Sequence, residues 1–142
     1  MKKILIRAFI VAFGLLGVAV VSVMLLLGNT EPNKELDGLA SRLDADPTTE
    51  HLRDLLNYPA DAGFSFYKMA LIGRAFVRHP TVFEKVAGDV RTEQERWTLQ
   101  TLASRGTGVF EHHPTLMPPD FEQRLAEQEW LTEFRLDDPG VN

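Results

Sequence analysis

Residues 65–81 read SFYKMALIGRAFVRHPT. The first fourteen are apolar on most sides of a helical wheel, the pattern of a helix buried by its neighbours. Pro80 then interrupts. It lacks the N–H that a continuing helix needs, and its fixed backbone suits the first turn of a new one. The stretch therefore predicts a central buried helix and a sharp corner at His79-Pro80-Thr81. A second helix follows, carrying Val82, Phe83, Val86 and Ala87, with Gly88 as its stop.

The corner is written three times. FVRHPT at 76–81 is matched by FEHHPT at 110–115 and, more loosely, by LDADPT at 43–48. An apolar residue, Leu43, Phe76 or Phe110, stands three positions ahead of each triplet. The prolines lie 33 and 34 residues apart, the length of a helix–turn–helix repeat of the tetratricopeptide or HEAT kind. In that reading each proline opens a first helix, a second folds back on it, and the apolar residue seats the corner in the core. The Trp-Leu-Gly-Tyr pattern of tetratricopeptide units is absent, so the competing architecture is an irregular helical bundle.

The flanking segments are helical too. Leu36, Leu39, Ala40 and Leu43 form one stripe. Asp46 and Pro47 read as an N-cap and first helical residue ahead of Leu52, Leu55 and Leu56, and Pro59 ends that helix. Thr92-x-x-Glu95 spells a capping box before Trp97, Leu99, Leu102 and Ala103, with Gly106 as the stop. A last helix starts at Pro118 and Pro119 and carries Phe121, Leu125, Ala126, Trp130 and Phe134. No alternating β-branched run or hairpin dipeptide joins two apolar runs. The fold class expected is all-α, with five or six short helices in residues 35–136, a linker at 28–34 and a flexible tail at 137–142.

The N-terminus differs in kind. Residues 8–27, AFIVAFGLLGVAVVSVMLLL, carry no charge. As a helix they span roughly 30 Å, the thickness of a bilayer's hydrocarbon core. A cleaved signal peptide has a shorter apolar region and small residues at its cleavage site. Here the run closes on VMLLLGN, so residues 1–27 read as an uncleaved signal anchor. Lys2, Lys3 and Arg7 precede the span and an acidic flank follows, which places the remainder outside the cytoplasm. The expectation is a single-pass protein of a bacterial inner membrane with its C-terminal domain in the periplasm or exterior.

Charge and composition exclude several activities. All 20 acidic residues lie beyond the span with 12 of the 15 basic ones, a net charge of −8 there against −5 for the chain. Such a domain repels nucleic acid and anionic lipid. With no cysteine there is no disulfide, thiol nucleophile or cysteine-ligated metal. None of the four serines sits in a Gly-x-Ser-x-Gly turn, and Arg105-Gly106-Thr107-Gly108 lacks phosphate-loop spacing. Glu127, Glu129 and Glu133 read as a solvated face.

Two sets of residues remain as site candidates. Glu111, His112 and His113, with His79 arriving from another corner, carry the donors that zinc prefers. The competing role is architectural, with His79 and His113 as N-cap residues before prolines and His112 in solvent. Phe64, Phe66 and Tyr67 cannot share one helix face, and those left outside the core would form a protein-docking patch. The favoured reading is therefore a non-enzymatic interaction module or accessory subunit of an envelope complex, with no cofactor, no nucleic acid and no identified small-molecule substrate. Its partner would be another envelope protein. The alternative is a metal-dependent or hydrolytic envelope enzyme built on Glu111–His113.

Overall fold

Asn33 opens the first described helix. Its side-chain oxygen accepts from the backbone N–H groups of Glu35 and Leu36 at 2.9 and 3.2 Å, which satisfies two donors that a helix start leaves free. The computed structural model describes residues 33–59, 65–105 and 109–135. The anchor, the tail, Phe64 and Gly106 lie outside them. Among the described residues the chain is all-helical, and no helix is long and apolar enough to cross a membrane.

The helices are α1 (Lys34–Ala45), α2 (Thr49–Asn57), α3 (Ser65–Arg78), α4 (Pro80–Ala87), α5 (Glu93–Ala103), α6 (Val109–His112) and α7 (Phe121–Glu127), with 3-10 segments at Pro114–Leu116 and Glu129–Phe134. Among the described residues this is more than the five or six expected, and the first helix already starts at Lys34, the last position of the 28–34 stretch read as a linker. The single C-terminal helix expected from residue 118 is two pieces, because Gln128 turns to an extended conformation (φ −101°, ψ 92°). The break rotates Leu131 and Phe134 into the core and leaves Ala126 exposed.

Helix α3 is the central buried element, as its apolar wheel requires. Lys68 to Gly73, Ala75 and Phe76 are all buried along it. It packs on α1, α4 and α7, while α2 packs on α1, α4 and α5. The first two corners are thus built alike: α1 turns into α2, α3 turns into α4, α1 lies on α3 and α2 on α4. The third corner joins a one-turn helix to a 3-10 turn and, among the described residues, makes no third pair.

At every corner the apolar residue three positions ahead is buried, Leu43 and Phe76 completely and Phe110 at 6 % exposure. Phe76 is the hub of an aromatic cluster, edge-on to Phe83 (5.5 Å between ring centroids), Phe121 (6.0 Å) and Trp130 (6.4 Å). Phe110 joins it through Phe121 at 5.0 Å. The repeated Phe is the part of the motif that carries the packing.

The capping assignments differ from those read off the sequence. Helix α2 starts two residues later than Asp46-Pro47 implied. Asp46 closes α1, its N–H reaching the carbonyl of Arg42, and Thr48 caps α2 by accepting from the N–H of His51 at 3.3 Å. A residue before proline is pushed toward extended backbone, and Asp46 adopts it (φ −142°, ψ 91°). His79 and His113 hold the N-cap positions of α4 and the first 3-10 segment, but neither side chain caps its helix.

Candidate docking groove

A groove of ≈ 250 Å³ opens between the N-terminal half of α3 and the face of α5. Phe66, Met69 and Ile72 come from α3, Trp97, Thr98 and Thr101 from α5, and Val109 starts α6. Trp97 is 56 % exposed. The sequence reading grouped it with Leu99, Leu102 and Ala103, but Trp97 and Leu99 are two residues apart, about 200° around a helix. The buried stripe is Glu95, Thr98, Leu99, Leu102 and Ala103. Two of its members are polar, and that hid the period.

Glu95 is 1 % exposed because its carboxylate is fully partnered. The Arg53 guanidinium donates to it at 2.7 Å, the Asn57 amide at 2.9 Å and the Arg91 backbone N–H at 2.8 Å. Burial pushes this carboxyl up, but those three donors together outweigh it and hold it below its ordinary value. The expected capping box is present, with the Thr92 hydroxyl accepting from Glu95 N–H at 3.0 Å. Glu95 reaches back one residue further than usual, to Arg91 rather than to the cap. Thr92 in turn donates to the Asn57 amide oxygen at 2.6 Å. This network fixes α5, and with it Trp97, against α2.

Lys68 lines the groove and is 4 % exposed. Its ammonium donates to the carbonyls of Leu56 and Tyr58, each at 2.7 Å, at the C-terminal end of α2. That end carries unsatisfied carbonyls and the negative pole of the helix dipole, so a cation is favoured there. Burial lowers the Lys68 value to about 8, and the group remains mostly protonated at neutral pH. The sequence did show a lone Lys within an apolar run, SFYKMALIG, but Lys68 was not among its site candidates.

The described candidate residues from the sequence do not converge. Phe66 lines the groove and lies against the His113 ring at 5.2 Å. Tyr67 points to α1, donating a hydrogen bond to Asp37, and burial followed by that carboxylate raises its value. His79 sits at the other corner with its Nε2 2.9 Å from Asp44, which also pairs with Arg78. Glu111 and His112 are exposed. His113 is half-buried, its Nε2 without a partner among the described residues. Among those residues no three His, Asp or Glu side chains form a group able to hold a metal. No family model, curated protein or solved structure matches the chain.

Proposed function

We propose that the protein is a single-pass, membrane-anchored adaptor or accessory subunit of a bacterial envelope complex. In this reading residues 1–27 hold it in the inner membrane and its acidic helical domain faces the periplasm. Two helix–corner–helix units form a short helical-hairpin scaffold, and the α3–α5 groove is the docking surface for another envelope protein.

Trp97 is the observation that carries the proposal. A large aromatic side chain, more than half exposed, stands on the rim of an apolar groove. Aromatic residues of this kind are enriched at the energetic centres of protein interfaces. The tether supports the reading too, because confinement to one membrane raises the effective concentration of a membrane-bound partner.

The test is in-membrane photo-crosslinking from position 97 or 66, with position 50 on the exposed face of α2 as control. The expected result is one discrete envelope protein trapped from the groove positions and not from the control. Trp97→Ala should abolish both that crosslink and complementation of a deletion strain while leaving the melting temperature unchanged. Identical crosslinks from all three positions would overturn the reading.

A further inference from the structure

Among the described residues, Lys68 is the only formally charged one lining the α3–α5 groove. It is a cation set in an apolar wall, on a domain whose net charge is strongly negative. Its two described hydrogen bonds go to neutral carbonyl oxygens, leaving one of the three ammonium N–H groups without a described acceptor. No carboxylate among the described residues lies within ion-pair distance of it, whereas Arg53, Arg78, Arg91, Arg105 and Arg124 each have one. A buried charge without a counter-charge is costly, so an incoming anion has more to gain here than at any of those paired cations.

The rest of the lining restricts what that anion is attached to. Phe66, Met69, Ile72 and Val109 offer apolar surface, with the neutral polar Ser65 and Gln94 beside them. The hydroxyls of Thr98 and Thr101 are engaged by their own helix, donating to the carbonyls of Gln94 and Trp97 at 2.8 and 2.9 Å. At ≈ 250 Å³ the groove lies below the roughly 300–1,000 Å³ in which drug-sized ligands are enclosed. It has room for an apolar side chain and its adjoining carboxylate, with whatever precedes them leaving over the exposed face of Trp97.

We infer that the groove receives the C-terminal end of a partner polypeptide, its last apolar side chain seated among Phe66, Met69 and Ile72 and its free carboxylate paired with Lys68. The inference rests on the docking role proposed above and names the group that is docked. Capture of a terminal carboxylate beside a pocket for the last side chain is an established mode of peptide recognition. Here an ammonium would take the place of the backbone N–H groups that more often serve.

The experiment measures binding to the full-length chain by isothermal titration calorimetry, which reads the parent and every variant alike. The probes are an acetylated hexapeptide ending in two leucines, the same peptide as its C-terminal amide, and free 4-methylpentanoate. The free acid should bind at least tenfold more tightly than the amide and more tightly than 4-methylpentanoate. Lys68→Met should erase the difference between acid and amide. Because Lys68 also caps α2, Trp97→Ala provides a second variant at an exposed position, and it should weaken acid and amide alike without altering the fold. Equal affinity for acid and amide, or binding of neither, overturns the carboxylate assignment, while the crosslinks from position 97 decide the docking role separately. Binding of 4-methylpentanoate as tight as that of the peptide overturns the chain-end assignment in favour of a small-acid pocket.

Discussion

Phe76 and Phe83 meet edge-on, 5.5 Å between ring centroids, across the corner that joins α3 to α4. Both are completely buried. Phe76 also touches Phe121 and Trp130, so removing it opens a void bounded by three other rings. Phe76→Ala should destabilise the domain by about 4 kcal/mol and Phe110→Ala by about 3 kcal/mol, the range for buried aromatics. The order follows from the contacts, since Phe110 has one described ring neighbour. Chemical denaturation of the two variants checks both the size and the order.

Gly73 lies in the middle of α3 where Phe110 and Pro118 come close. A Cβ at this position would be 3.1 Å from Phe110 Cζ and 3.4 Å from Pro118 Cγ. Gly73→Leu should therefore cost about 2 kcal/mol or more by overpacking, although leucine is the better helix former. Gly38 on α1 has nothing within 4 Å of such an atom, and Gly38→Ala should stabilise by roughly 0.5–1 kcal/mol. Opposite signs in thermal denaturation are the expected outcome.

Glu95 sets the acid limb of the stability curve. Its folded value lies below its ordinary 4.5, so its contribution is complete above that pH and is lost as pH falls through the folded value. Glu95→Ala should cost about 2 kcal/mol at neutral pH. Arg53 keeps Asp89 at 3.2 Å, which moderates the usual penalty for stranding a buried charge. The variant's acid limb should be flatter than that of the parent, a comparison made by urea denaturation from pH 3 to 7.

Lys68 acts on the alkaline side with the opposite proton balance. The unfolded chain holds this proton up to about 10.5 and the folded chain releases it above about 8. The unfolded state binds more protons in that window, so stability should rise with pH, by on the order of 2 kcal/mol by pH 10. Beyond pH 10 Tyr67, whose value is raised, works against the gain. Lys68→Met should remove the rise. A parent whose stability falls steadily from pH 8 to 10 would contradict the buried-cation account.

Topology is open to a direct check. If residues 1–27 anchor the chain with their positive flank on the cytoplasmic side, as proposed, a C-terminal alkaline phosphatase fusion should be active and should stay with the membrane fraction. An inactive fusion would reverse the orientation, and an active but soluble one would mean that the segment is cleaved.

The helical class, the central position of α3 and the buried Leu43, Phe76 and Phe110 were legible from apolar period and proline placement. What escaped the sequence was the groove, for reasons seen at three residues. Glu95 and Thr98 hold core positions on α5 as polar side chains, which shifted the apparent stripe and drew Trp97 inward. Lys68 is buried because two carbonyls from the end of another helix await it, a relation between α2 and α3 that no local pattern encodes. His79 and His113 stood out as a repeated motif, yet they occupy separate corners, one beside Asp44 and the other beside Phe66.

The start of α5 is completed by a helix far behind it in the chain. Glu95 takes its partners Arg53 and Asn57 from 42 and 38 residues upstream, and Thr92 bonds to Asn57 across 35. Without α2 in place, Glu95 would be a charge entering an apolar environment with only Arg91 N–H to meet it. Without α5, Arg53 and Asn57 on α2 would lose the Glu95 carboxylate they share. Neither half can therefore gain much by ordering first, and loop closure has to precede most of the reward. The domain should fold as a single cooperative unit despite its modular corners, and a fragment ending after α4 should not hold a stable structure of its own.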